Sequence, residues 1–254
     1  MTLDALPPAS APLVWPQGKR AAVSLTFDDA RPSQVDRGLG ILDACGVRAT
    51  FYVSPGGIEQ RLDGWRRAVA AGHEIGNHTL SHPCSGNFAF SRANALEDYT
   101  LERIERELLD ASAAIERLLG VAPTTFAYPC GQSFVGRGQD VRSYVPLVAR
   151  HFLVGRGAFN ESHNDPAFCD LALVFGMNGD GERFETLRAL ADRAAAEGGW
   201  LILFGHEIGH AGQQTTRADV LERLCRHCTR EGSGIWIDTV AAVGQHVARA
   251  RRVP

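Results

Sequence analysis

A chain of 254 residues with 44% apolar and 22% charged side chains can bury a sizeable core, which excludes a disordered or fibrous protein. The net charge of -3, without a block of like charges, leaves no electrostatic footprint for nucleic acid or an anionic membrane surface. No apolar run is long enough for a transmembrane helix, and the opening segment lacks the basic region and continuous apolar stretch of an export signal.

A soluble, cytoplasmic protein is therefore the expectation, and the 6 cysteines are expected to be reduced, being too sparse for a disulfide scaffold. Cys225 and Cys228 form a lone CxxC inside a helical pattern, and a structural zinc site needs two further ligands.

Residues 1–18, rich in Pro, Ala and Ser, read as an extended lead-in, and residues 19–254 as one domain. "RAAVSLTFDD" is an apolar strand delivering two acids at its end, and "QVDRGLGILDACG" follows with helical spacing and Gly46 as its cap. "VRATFYVS" reads as a strand, "LDGWRRAVAAG" as a helix and "HEIGNH" as a short strand. The strongest helix carries Leu101, Ile104, Leu108, Ile115 and Leu119 on one stripe, with Gly120 past its end. "TTFAYPCG", "HFLVG" and "LALVFG" read as strands, "RFETLRALADRAAAEGG" as a helix and "WLILFGH" as a fully apolar strand. The helix "ADVLERLCRHCTREG", the strand "GIWI" and a last helix complete the order.

Such alternation predicts a mainly parallel sheet with right-handed crossovers, and about seven or eight units of this kind fit a closed barrel better than an open sheet. A dinucleotide fold loses its usual support, because no G-x-G-x-x-G follows the first strand. In a (β/α) barrel, chemistry collects at the C-terminal ends of the strands. Those ends carry Asp28 and Asp29, His78 and His82, the "YPCG" of residues 128–131, and His206. Two imidazoles and one carboxylate make a three-ligand metal set that leaves a position open for water or substrate. His78 and His82, spaced for one face of a turn, would join one Asp of the pair as ligands, leaving the other free to take a proton. His206 titrates close to neutrality and suits the general acid.

"LFGHEIGH", residues 203–210, contains a literal H-E-x-x-H, the zinc-peptidase pattern. That motif requires a regular helix, whereas here it follows an apolar strand and is interrupted by Gly209, each helix-interior glycine costing about 1 kcal/mol relative to alanine. Strand then loop is the expectation. Glu207 and His210 then become solvated loop residues, with Glu207 retained beside Tyr128 and Pro129 as a candidate substrate contact.

"TFDD", "HTLSH", "YPCG" and "LFGH" in this order resemble the polysaccharide deacetylases of carbohydrate esterase family 4, the NodB homology domain. The resemblance implies an α/β fold of the distorted (β/α)7 TIM-like barrel type and metal-dependent removal of N- or O-acetyl groups from an acetylated carbohydrate. It implies Asp28 as base, Asp29 with His78 and His82 as metal ligands, His206 as acid and the backbone N–H of Cys130 as an oxyanion donor. Zn2+ is the implied ion, with Co2+ or Ni2+ as substitutes. Two departures stand out. Ala127 replaces the Arg that pairs with the base Asp, for which Arg156 or another cation could substitute in space, and no counterpart of the Asp that tunes the acid His is readable between Val141 and Leu190. An allantoinase-like amide hydrolase and a non-catalytic carbohydrate-binding relative are the alternatives on the same barrel.

Overall fold

The computed structural model describes residues 13–252. Strand β1 (Ala21–Asp28) leads through a π-helical turn at Gln34–Gly38 into α1 (Leu39–Ala44), β2 (Thr50–Val53) into α2 (Pro55–Glu59) and α3 (Leu62–Ala70), and β3 (Glu74–Asn77) across a long loop into α4 (Leu101–Leu119). After β4 (Thr125–Ala127) comes a small antiparallel ribbon, β5 (Phe134–Val135) with β6 (Arg142–Ser143), and then α5 (Val145–His151). β7 (Val154–Arg156) and β8 (Met177–Asn178) precede α6 (Phe184–Glu197). β9 (Trp200–Gly205) is followed by the short pair β10 (Glu207–Gly209) and β11 (Thr215–Arg217), then α7 (Ala218–Thr229), β12 (Ile235–Ile237) and α8 (Val240–Ala250).

The main sheet is parallel throughout and runs β7-β4-β3-β2-β1-β9-β8. One edge of β1 is shared, with β12 against Ala21–Val23 and β2 against Thr26–Asp28, so an eighth strand enters without widening the curl. The two outer strands approach each other: Val174, just ahead of β8, bridges Arg156 of β7, with Gly157 N–H donating to Val174 O at 2.8 Å. The product is a curled, helix-wrapped parallel barrel, as the alternation predicts, of the distorted (β/α) type that the family resemblance implies.

All eight residues of β1 are buried. Ala21, Val23, Leu25 and Phe27 join the largest apolar cluster with residues of α1, α3, α6 and α7. Their alternates Ser24, Thr26 and Asp28 turn into the barrel, where Ser24 accepts from the Trp200 indole at 3.0 Å and Thr26 donates to Leu203 O at 3.0 Å. A strand with period-2 side chains thus presents one face to an apolar shell and the other to a polar interior. α4 starts where Thr100 accepts from Arg103 N–H at 3.2 Å and ends at Gly120, whose φ of 72° only glycine adopts without strain.

Two sequence expectations change. "LALVFG" is not a strand: Asp170 caps Ala172 N–H at 2.9 Å, residues Leu171–Leu173 form a 3-10 turn, and only Val174 pairs before β8. Of the lead-in over residues 1–18, residues 1–12 lie outside the described residues, but Trp15 is core, 3% exposed. Its indole donates to Gly198 O at 3.0 Å and packs on Trp236 and His246 under α8. One large aromatic overrides the polar composition around it. Among the described residues no helix is long and apolar enough to cross a membrane.

Replacing a buried Trp by Ala removes its transfer energy and leaves a cavity, together about 3–5 kcal/mol. Trp15→Ala is therefore expected to lower unfolding stability by about that amount in urea denaturation, and a loss below about 1 kcal/mol would return Trp15 to the lead-in.

Candidate metal and catalytic site

The two acids closing β1 part company because the backbone turns between them. Asp28 still has strand geometry and points into the barrel, whereas Asp29 (φ 73°) and Ala30 (φ 51°) are left-handed. Residues other than glycine are uncommon in that region and pay strain for it. Asp29 Oδ1 consequently lies 3.5 Å from His78 Nε2 and 3.4 Å from His82 Nε2, while its Oδ2 accepts from Arg31 at 3.0 Å.

His78 and His82 do share one side of the site, but not through a helical turn. Residues 78–83 form a loop folded by its own polar side chains. Asn77 Oδ1 accepts from Thr79 N–H at 2.7 Å, and Thr79 Oγ1 accepts from His82 N–H at 2.9 Å. Glu107 on α4 takes the N–H groups of Leu80 and Ser81 at 3.1 and 2.9 Å. Thr79 (φ 66°) and His82 (φ 52°) are left-handed, which is how four-residue spacing yields ring centroids 4.9 Å apart without a helix.

The donor set fits a divalent ion. His78 Nδ1 is occupied by Ala127 O at 2.9 Å, so Nε2 is the ring nitrogen left for a metal, the usual orienting arrangement for a ligand His. Burial and the neighbouring His78 push His82 down to about 4, so its lone pair is available at neutral pH. Burial alone would raise Asp29, but His78, His82, His206 and Arg31 together hold its carboxyl below the usual range. A deprotonated carboxylate and a neutral imidazole are the ligand forms that metal binding requires.

Asp28 meets the cation expected for it. Arg156 Nη2 contacts both carboxylate oxygens of Asp28 at 2.5 Å, with Arg156 fully buried. Arg156 is the register partner of Ala127 across β4 and β7, so the guanidinium reaches the base position from the adjacent strand rather than from residue 127.

His206 also has a carboxylate partner, one the sequence reading did not find. Asp180, two residues beyond β8, accepts from His206 Nδ1 at 2.6 Å and is itself fixed by Thr216 Oγ1 at 2.7 Å. Asp180 lies between Val141 and Leu190, where no counterpart was readable: it stands beyond the apolar run "LALVFG" rather than closing it, and only its place after β8 would have marked it. Gly205 is required here, because a Cβ would collide with Thr216 Oγ1 and Asp180 Oδ1. Burial opposes protonation of His206, but the Asp180 hydrogen bond and the Asp28, Asp180 and Asp29 charges outweigh it and raise His206 above its ordinary value. Gln34, also missed, is buried and donates to Asp28 O at 2.6 Å and His206 O at 2.9 Å, tying the two strand ends together.

These groups open into a cavity of about 480 Å³ lined by Asp28, Asp29, His78, His82, His206 and Tyr128, with Cys130 and Phe88, Phe90 and Phe159 on its walls. Phe159 stacks edge-on against Phe204 beside His206, with ring centroids 5.0 Å apart, supplying an apolar wall.

Three expectations are corrected. Glu207 is not in this cavity: it lies in β10, accepts from Ser33 Oγ and lines a separate open cleft with His210. The H-E-x-x-H stretch is thus strand and loop, and its two His rings face different cavities. Pro129 is buried and absent from the wall, its ring used to start the turn. Cys130 does line the cavity, with φ 53°, but its thiol is not free, being disulfide-bonded to Cys84. The expectation of reduced thiols fails for this pair because two loops with no sequence proximity meet. Cys225 and Cys228 are free and buried, and join no metal-competent group among the described residues.

Residues 16–144 match the family model described as polysaccharide deacetylase. A chitooligosaccharide deacetylase from Rhizobium leguminosarum bv. trifolii is 35% identical over 94 residues, 37% of this chain and 39% of that protein. The chain spans less than half the length of the curated relatives it matches. The fold is shared with the structure of a protein from Mycobacterium smegmatis assigned as a polysaccharide deacetylase, at TM-score 0.70 and 21% identity over 96% of each chain. It is shared also with Puue allantoinase, at TM-score 0.66 and 16% identity over 94% of each chain. On the match over residues 16–144, half of its length, the chain belongs to the polysaccharide deacetylase family.

Proposed function

We propose that the chain is a metal-dependent hydrolase that removes an acetyl group from an acetylated carbohydrate. The observation that carries this reading is the pair of buffered groups flanking one donor set: Asp28 on Arg156, and His206 on Asp180, around Asp29, His78 and His82. Two such pairs suit an arrangement that both removes and returns a proton.

Asp29, His78 and His82 would hold the ion, with Zn2+ the best match to two imidazoles and a carboxylate. When bound, it supplies Lewis acidity toward the acetyl carbonyl and makes water a better acid. Asp28 accepts the proton of the attacking water as the new C–O bond forms, its carboxylate oriented by Arg156. The backbone N–H of Cys130 donates to the oxyanion. His206, held through Nδ1 by Asp180, gives a proton from Nε2 to the departing sugar nitrogen or oxygen as the C–N or C–O bond breaks. Acetate and the deacetylated sugar are the products. Tyr128, whose hydroxyl is committed to Ala172 O at 2.7 Å, contributes a wall rather than a proton.

Asp28→Asn preserves shape and removes the base, so acetate release from N-acetylglucosamine oligomers or p-nitrophenyl acetate is expected to fall by about 10²–10⁴-fold while bound metal per chain is retained. Unchanged turnover would remove Asp28 from the role, and absence of acetate release by the unsubstituted protein from both substrates would overturn the reading. His206 must be protonated to act, and its raised value means that activity is kept below that value and lost as pH rises through it. Asp180→Asn withdraws the hydrogen-bonding charge that raises His206, so the alkaline limb of the kcat/KM profile is expected to move to lower pH. A limb that stays in place would assign it to another group.

A further inference from the structure

The Cys84–Cys130 cross-link touches the candidate ligands, yet the hydrolysis above makes no use of it. Cys84 is fully buried two residues after His82, and Cys130 lies in the cavity wall after β4. The His82 ring stands between two groups of donors: Nε2 faces Asp29 Oδ1 at 3.4 Å, and Nδ1 faces Cys84 Sγ at 3.6 Å. Donor atoms of His82, Cys84 and Cys130 all lie within 4.8 Å of one another. A nitrogen and two sulfurs at that spacing suit zinc or another thiophilic cation, once the sulfurs are thiolates rather than a disulfide.

We infer that reduction of the Cys84–Cys130 disulfide creates a second metal site, built from His82 Nδ1, Cys84 Sγ and Cys130 Sγ, which shares the His82 ring with the Asp29, His78 and His82 set. The sharing rests on the ligand set proposed above, whereas the sulfur site stands without it. The loop stays in place after reduction because other bonds hold it. Ser85 N–H donates to Gln132 Oε1 at 2.7 Å, Leu96 N–H to Cys84 O at 2.9 Å and Ser91 Oγ to the same carbonyl at 3.0 Å. Gln132 is two residues past Cys130, so both sulfurs keep their neighbourhood. A phosphine reductant breaks the S–S bond by giving two electrons to the sulfurs, which take up two protons, and it leaves as the phosphine oxide with an oxygen from water. A divalent cation then displaces the two thiol protons to solvent, together with the His82 Nδ1 proton where Nε2 already holds the first ion, so that two thiolates balance its charge and the shared ring is an imidazolate. Re-oxidation to the disulfide takes both thiolate ligands away and releases the ion.

The full chain, oxidised in air or reduced by a phosphine, is equilibrated anaerobically with Co2+ and freed of excess. One ion per chain is expected in the oxidised form and two in the reduced form, with an intense near-ultraviolet sulfur-to-cobalt band in the reduced form alone. C84S/C130S is expected to bind one ion in either condition and show no band; comparison of the two redox states of the unsubstituted protein serves if that variant does not fold. His78→Ala is expected to weaken binding in the oxidised form and keep the band on reduction. A band in the reduced form with no ion bound in the oxidised form would support the sulfur site while overturning the ligand set proposed above. Equal binding in both states with no band, or alkylation of both Cys84 and Cys130 in air-oxidised protein, would overturn the inference.

Discussion

Arg156 carries a full charge with no solvent exposure, and a cation removed from water costs several kcal/mol unless its hydration is replaced. The barrel supplies partners from three directions, although Arg156 Nε has no hydrogen-bond partner among the described residues. Asp28 takes Nη2, Gly157 O accepts from Nη1 at 3.0 Å, and the Tyr52 and Phe204 rings lie at 5.1 Å from the guanidinium carbon. Those partners sit on β1, β2 and β9 and immediately past β7, so the ion pair needs the curl of the sheet to exist at all. Conversely, the curl encloses a buried charge that would be intolerable if any partner strand moved, since breaking such a pair by removing one member costs about 3–5 kcal/mol. A carboxylate held this way has one orientation, which is what the proposed proton transfer at a fixed distance requires.

The loops around that fixed centre are held in backbone conformations that side chains resist. Asp29, Ala30, Thr79, His82, Cys130 and Phe159 all have positive φ, and all lie at the mouth or beside it. Each conformer costs on the order of 1–3 kcal/mol and persists because neighbouring bonds over-determine it: Thr79 by Asn77, His82 by Thr79, the turn at Cys130 by its disulfide and Gly131 N–H to Tyr128 O at 2.8 Å. The strain redirects side chains. With ordinary strand geometry Asp29 would project to the face opposite Asp28, among the helix-packed residues of β1.

The order of elements and the identities at four strand ends were legible because they rest on local signals. Apolar runs mark β1 and β9, the Leu and Ile stripe marks α4, and Asp or His closing an apolar run is conspicuous. Trp15 was not legible, since composition averaged over a Pro-rich segment hides a single aromatic whose pocket is built by residues about 200 positions away. The disulfide was hidden for the same reason, as 46 residues separate its members. Glu207 was misplaced in the other direction: nearness in sequence to His206 suggested a shared cavity, but β10 alternates, and the residue after the acid turns toward Ser33.

The two departures from the family pattern have one physical explanation. What the proposed hydrolysis needs is a cation against Asp28 and an anion against His206, and these are conditions on side-chain tips, not on sequence positions. In a narrow barrel the tips converge while the Cα positions are spread around a ring, so more than one strand can supply each tip. Arg156 is beside Ala127 in the β4–β7 register, and a long flexible guanidinium reaches the interior from either strand. Asp180 reaches His206 from beyond the two-residue β8, where a short side chain suffices because Gly205 leaves room for the approach. Motif matching by position counts both as losses, whereas charge matching in space finds both pairs present. A chain of this family with Ala at the position of residue 127 is therefore predicted to carry a buried Arg on the neighbouring strand if it retains the base, and the absence of any such cation would identify a decayed site.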